Sequence, residues 1–305
     1  MKILVTGGAG FIGSHLVDAL INKEHEVMII DNLSTGLKEN INPKAKFFQE
    51  DLSNFKEVEN IFKEEKPEII YHLAAQINVR TSLSDPVEDA RINILNTINL
   101  LELSRKHNIK NFIFSSTGGA IYGDTNIPTT ENADEKPVSP YGCAKLAVEK
   151  YLNFYKEVYG LNYTSLRYSN VYGPRQNPEG EAGVISIFME NLIQNKTPLI
   201  FDGTQTRDFV YVGDVVEANL LVLNNKNSAV YNVGTAIETN ILDLFDKINM
   251  HFGNKIKAKR KPRKQGEQLT SCLSYEKIKQ DLGWEPRAIL DEGIQKTFLW
   301  VTKDK

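Results

Sequence analysis

A chain of 305 residues with 41% hydrophobic content can bury one large core and a smaller second one, and its short apolar runs suit a soluble α/β protein. A formal charge of -3 favours neither a nucleic-acid nor a membrane partner, and no segment has the length of a membrane span or the apolar core of a signal peptide, so the cytoplasm is the expected location. Cys143 and Cys272 are too few for a disulfide framework and lack metal-ligand spacing. The five histidines, His15, His25, His72, His107 and His251, form no cluster and read as surface or helix residues, so no metal is expected.

Lys2–Thr6 reads as a short buried strand that runs directly into Gly7-Gly8-Ala9-Gly10-Phe11-Ile12-Gly13. A helix follows, with apolar residues at helical spacing (Phe11, Ile12, Leu16, Ala19, Leu20), then a second apolar strand, Val27–Ile30, ending at Asp31. This order is the first βαβ half of a dinucleotide fold. Gly7 allows the tight turn, Gly10 the approach of backbone to a pyrophosphate, and Gly13 close packing of helix on strand, with the helix N-terminus facing the anion. A carboxylate at Asp31 accepts hydrogen bonds from an adenosine ribose and repels a 2′-phosphate, which favours NAD over NADP.

Helices are expected over 55–66 and 87–107, and strands over 68–73 and 111–115. Tyr141 and Lys145 lie four residues apart at the start of a further helix, 141–159, which puts a phenol and an ammonium on one face. Ser139 suits the N-cap, Pro140 the first turn and Gly160 the stop. The pair can act in acid-base catalysis. The same spacing at Tyr275 and Lys279 has no phosphate loop nearby and carries no chemistry. A strand over 162–166 extends a sheet that should be parallel. After about Asn170 the turn-rich stretch 171–180 begins shorter, less regular elements. The expected architecture is therefore a Rossmann-type doubly wound parallel sheet over 1–170, followed over 171–305 by a smaller mixed α/β substrate lobe, with some segments returning to the sheet. The basic run Lys255–Lys264, seven basic residues in ten, reads as local attraction for an anionic ligand rather than for nucleic acid, and 224–228 as a surface turn.

The series Thr6–Gly13, Asp31-Asn32, Asp51-Leu52, His72-Leu73-Ala74-Ala75, Asn93, Ser115-Ser116-Thr117, Tyr141–Lys145, Arg167–Asn170, Arg207–Val212 and Gly266-Glu267 resembles the extended short-chain dehydrogenase/reductases, and within them the UDP-glucose (UDP-galactose) 4-epimerases. The resemblance spans nearly the whole chain. It implies inversion of a sugar C4 through a transient 4-keto sugar, with Tyr141 taking the C4 hydroxyl proton, Lys145 supplying positive charge and Thr117 bridging sugar and phenol. Ser116 is the competing hydroxyl, because the segment after Ser115 carries one more small residue than the commoner epimerase version. Related 4,6-dehydratases place Asp-Glu just after this hydroxyl, whereas Gly118-Gly119 stand here. A dehydratase is the alternative reaction, and a catalytically silent NAD-binding regulator a more distant one.

The resemblance further implies cofactor contacts at Gly7, Gly10, Phe11, Ile12, Gly13, Asp31, Asn32, Asp51, Leu52, Leu73, Ala74, Ala75, Asn93, Ser115, Tyr141, Lys145 and Tyr168. Substrate contacts are implied at Thr117, Asn170, Val184, Arg207 and Glu267, with Lys264 or Arg263 at the diphosphate. Arg207 suits phosphate because its planar donors match the oxygens. Ser271 aligns where larger side chains narrow the sugar pocket, so a small residue there would admit N-acetylhexosamines. A homodimer is also implied, pairing helices 87–107 and 141–159 across a twofold axis through Ile94, Leu95, Ile98 and Leu101, with burial inside the monomer as the alternative.

Overall fold

The computed structural model describes residues 1–179, 183–253, 256–262 and 268–303. The first half contains β1 (Lys2–Thr6), α1 (Phe11–Asn22), β2 (Glu26–Asp31), β3 (Lys46–Gln49), α2 (Phe55–Glu65) and β4 (Ile69–His72). Short helices α3 (Val79–Ser84) and α4 (Pro86–Ala90) then lead through a π-helical turn (Arg91–Leu95) into α5 (Asn96–Lys106), followed by β5 (Asn111–Thr117), the single turn α6 (Gly118–Ile121), α7 (Pro140–Tyr159) and β6 (Tyr163–Tyr168). The second half contains β7 (Asn170–Tyr172), α8 (Val184–Ile193), β8 (Leu199–Phe201), β9 (Thr206–Arg207), β10 (Phe209–Tyr211), α9 (Val212–Val222) and β11 (Ala229–Val233). It closes with β12 (Thr239–Asn240), α10 (Ile241–His251), β13 (Lys259–Lys261), β14 (Thr270–Ser271), α11 (Glu276–Leu282) and α12 (Leu290–Val301).

Seven strands form one parallel sheet in the order β11-β6-β5-β4-β1-β2-β3. The chain first moves outward from β1 through β2 and β3, then returns to β4 on the other edge of β1. Such a reversal opens a crevice at the carboxyl ends of the strands. Alternation along each strand fills both faces. Ile3 and Val5 join Val27 and Ile29 beneath α1 and α9, while Leu4, Met28 and Ile30 pack with α2, α5 and α7. A third core, with Phe188, Met189, Leu244, Phe245 and Ile294, lies among α8, α10 and α12.

Several expectations need correction. The helix expected over 87–107 forms as one continuous helical run from Pro86 to Lys106, entered at an Asp85 cap, but it contains a π-helical turn at Arg91–Leu95 between α4 and α5. Leu101 is fully buried in the sheet core and contributes no outer surface, whereas Leu95 is exposed. His72 is neither a surface nor a helix residue but lies buried at the end of β4. The edge strand β3 went unread because only Phe47 and Phe48 mark it between polar ends. Helix α7 behaves as its ends predict: the Ser139 hydroxyl accepts from the Gly142 amide, and Gly160 adopts a left-handed conformation at the stop. Among the described residues, no helix is long and apolar enough to cross a membrane.

Candidate active site

The glycine turn is shaped by close backbone contacts. Gly7 has φ +74°, and a Cβ there would lie 2.7 Å from the Ala74 nitrogen. A Cβ on Gly13 would lie 2.1 Å from the Gly7 carbonyl oxygen, so only glycine lets α1 start this close to the turn. The residues fit a bound dinucleotide, because the cradle excludes side chains where a pyrophosphate meets the helix N-terminus.

A cavity of about 850 Å³ opens at the carboxyl ends of β1, β2, β4 and β5. Its walls include Gly7, Gly10, Phe11, Ile12, Gly13, Asp31, Asn32, Asp51, Leu52, Leu73, Ala74, Ala75, Ser115, Tyr141, Lys145 and Tyr168. Most of the expected cofactor contacts therefore meet in one place. The Asp31 carboxylate accepts the amides of Ala9 and Leu33, both at 2.9 Å, which fixes it between the glycine turn and the end of β2. Burial works to raise the Asp51 carboxyl, but hydrogen bonds from Ser53 and Asn32 hold it below its usual range. With Glu50 alongside, this end of the cavity is acidic and poorly suited to a 2′-phosphate.

Tyr141 and Lys145 face the cavity from the first turns of α7. The Lys145 ammonium is 5.9 Å from the Tyr141 ring centre, 4.6 Å from that of Phe114, and donates to the Ser115 carbonyl oxygen at 2.8 Å. Burial lowers its pKa to about 8, against the charges of Asp89 and Glu149, which raise it. The two candidate hydroxyls differ in their commitments. Ser116 donates to the Glu149 carboxylate at 2.6 Å, inside a buried network where Arg167 binds Glu149, Glu135 and the Tyr122 hydroxyl. Burial pulls the Arg167 pKa down, but the hydrogen bonds and charge of Glu149 hold it above its ordinary value. Thr117 ends β5, and its hydroxyl and that of Ser271 both lie within 4 Å of the point a Cβ on Gly119 would occupy, at 3.9 and 3.7 Å.

Asn93 is buried outside the cavity wall; it accepts from the Gln76 amide and donates to the Gln76 carbonyl, both at 2.9 Å, and so positions a residue that does line the wall. Asn170 sits on β7 with its side exposed, and Val184 starts α8 against the third core. The Arg207 guanidinium donates to the carbonyls of Thr206, Leu269 and Gln268, which ties β9 to the segment preceding β14. Arg263, Lys264 and Glu267 lie outside the described residues. Tyr275 and Lys279 also lie together, with the ammonium 5.8 Å from the ring centre, but away from the cavity wall: Lys279 pairs with Glu285 at 2.9 Å and Tyr275 packs edge-on to Trp284.

Sequence reading missed the cavity residues Gln76, Asn78, Asn96, Asn177 and Glu179. Nothing in their spacing distinguishes them from ordinary loop and helix residues. His72 was also missed as a structural link. Thr97 donates to the Asn93 carbonyl and so accepts from His72 Nε2 at 2.9 Å, while Thr6, which accepts the Ala74 amide, donates to Nδ1 at 2.7 Å. The arrangement is satisfied by the neutral Nε2–H tautomer.

Residues 3–234 match the model of the NAD dependent epimerase/dehydratase family. A relative from Methanocaldococcus jannaschii, provisionally named a UDP-glucose 4-epimerase, is 50% identical over 301 residues and covers 98% of each chain. The Thermotoga maritima UDP-glucose 4-epimerase, solved with UDP-glucose, is 47% identical with a TM-score of 0.98 over 100% of this chain and 99% of that one. The Thermus thermophilus UDP-glucose 4-epimerase, solved with NAD, is 40% identical with a TM-score of 0.93 over 98% of both chains. Glycine cradle, Asp31, and the Tyr141 and Lys145 pair thus occur on a chain that belongs to the NAD-dependent epimerase/dehydratase family.

Proposed function

We propose that this chain interconverts UDP-glucose and UDP-galactose by inverting C4 through a transient 4-keto sugar. The observation that carries the reading is the convergence of the glycine cradle, Asp31, Tyr141 and Lys145 on one cavity. Deprotonating an unactivated sugar carbon would leave a carbanion with nothing to stabilise it, so the reaction proceeds by oxidation and reduction. NAD supplies that chemistry when bound, taking and returning the C4 hydrogen. Tyr141 removes the C4 hydroxyl proton and gives it back; a phenol with an ordinary pKa of about 10 needs nearby positive charge to do so near neutrality, and the Lys145 ammonium provides it. Thr117 is the better candidate to bridge sugar and phenol, since the Ser116 proton is already committed to Glu149.

Asn170, Val184 and Arg207, with Glu267 and either Lys264 or Arg263, are the proposed contacts to the nucleotide. Residues 1–170 form the cofactor domain in this reading, joined by α9 and β11, while most of 171–305 binds the sugar nucleotide. Ser271 is small, and its hydroxyl lies near the same Gly119 point as that of Thr117, which supports extending the reading to UDP-N-acetylhexosamines. Leu95, Tyr151, Phe154 and Val158 are exposed and support a twofold helix-pairing interface, for which sedimentation as a monomer at micromolar concentration would be contrary evidence. The cytoplasm is the proposed site of action.

The test is to incubate purified protein with UDP-galactose, without added reductant, and resolve the nucleotide sugars. UDP-glucose is the expected product. A dehydrated 4-keto-6-deoxy sugar, or no conversion by NAD-loaded protein, would overturn the assignment.

A further inference from the structure

The turn-rich loop after β7 leaves the second lobe and returns to α1, the helix that starts at the glycine cradle. Two contacts hold it there. His15 Nε2 lies 2.9 Å from the Pro174 carbonyl oxygen, and because a carbonyl only accepts, this nitrogen carries the proton. Arg175 Nη2 pairs with Asp18 Oδ2 at 2.8 Å, while the other Asp18 oxygen accepts from Asn42 at 2.7 Å. His15 and Asp18 are three residues apart and share one face of α1. Arg175 has φ +67°, a conformation that a side chain disfavours, and in it the guanidinium reaches Asp18. Immediately beyond the tether, Asn177 and Glu179 form part of the cavity wall, and the Glu179 amide donates to Asn177 Oδ1 at 2.9 Å.

We propose that Gly173–Glu179 is a cofactor-retaining clasp, in which His15 and Asp18 hold Pro174 and Arg175 so that Asn177 and Glu179 close the cavity wall over bound NAD. None of these residues takes part in proton transfer; they act by positioning the loop. The purpose of the clasp follows from the epimerase reading, since an enzyme that reduces its ketone with the same cofactor molecule fails if that molecule escapes between half-reactions. The contacts span two lobes, so NAD leaves only after both part.

The experiment loads the protein with radiolabelled NAD, adds excess unlabelled NAD and follows release, with no sugar present. A failed clasp and a failed epimerase assignment therefore give different results. Arg175→Gln and Asp18→Asn are each expected to speed release about fivefold, the scale of one partly exposed ion pair, and the double variant to release no faster than either single one. Arg175→Gly suits the positive φ and is expected to show the same faster release with the backbone relaxed. Release at the unaltered rate in Arg175→Gly and Asp18→Asn, or fully multiplicative effects in the double variant, would overturn the proposal.

Discussion

The Lys145 ammonium donates to the Ser115 carbonyl oxygen at 2.8 Å, tying the first turns of α7 to the last residues of β5. One contact thereby places the phenol-bearing helix against the strand that ends at Thr117. The ammonium is buried for this purpose, and burial brings its pKa to about 8.

Lys145→Met should abolish most turnover and weaken NAD binding, yet stabilise the NAD-free fold near pH 7. An unfolded lysine keeps its proton to about pH 10.4. Between about 8 and that value the unfolded chain binds more protons, so stability rises with pH; below about 8 the buried charge is a standing cost. The variant should gain on the order of 2 kcal/mol at pH 7 and lose the rise. In the unaltered enzyme, kcat/KM should decline above about pH 8 as the lysine loses its charge. Urea unfolding and pH-rate profiles check both.

Gly13→Ala puts a methyl carbon where the Gly7 carbonyl oxygen stands 2.1 Å away. Backbone must yield, since no side chain is there to rotate. We expect a loss of about 1–3 kcal/mol in stability and a fall of at least about tenfold in NAD affinity, read by fluorescence titration.

Arg167→Met leaves the Glu149 carboxylate buried without its main partner and should cost about 3–5 kcal/mol. Arg167→Met combined with Glu149→Leu should recover much of that loss, because replacing both charges removes the unpaired one. Denaturant unfolding of the single and double variants measures the recovery.

This network shows where sequence reading stops. The glycine turn, Asp31, and the Tyr141 and Lys145 pair were legible because each depends on neighbours close in the chain: a turn, a strand end, one helix face. Capping at Ser139 and the stop at Gly160 were legible for the same reason. The bond from Ser116 to Glu149 spans 33 residues, and spacing alone gives no sign of it. The π-helical turn within the helix over 87–107 also escaped, since what marks it is tertiary: Asn93 on that turn exchanges hydrogen bonds with the Gln76 backbone. Asn177 and Glu179 reach the cavity only through the fold-back of their loop onto α1.

Acid should act through His72. Burial lowers its pKa to about 3, and the Lys145 charge adds to the effect. The unfolded imidazole titrates near 6.5, so the stability it contributes is fully present above that value and is lost as pH falls toward 3. A loss on the order of a few kcal/mol is expected across that window. His72→Asn, which cannot titrate there, should start less stable and show a shallower decline in melting temperature between pH 6.5 and 4, as followed by circular dichroism.

The decisive measurement for Tyr141 as the acid-base group is turnover of UDP-galactose by NAD-loaded Tyr141→Phe protein. Removing one phenolic oxygen should lower kcat by about 10²- to 10⁴-fold while leaving the fold and bound NAD in place. Conversion to UDP-glucose at the unaltered rate would rule out Tyr141 as the group that moves the C4 hydroxyl proton.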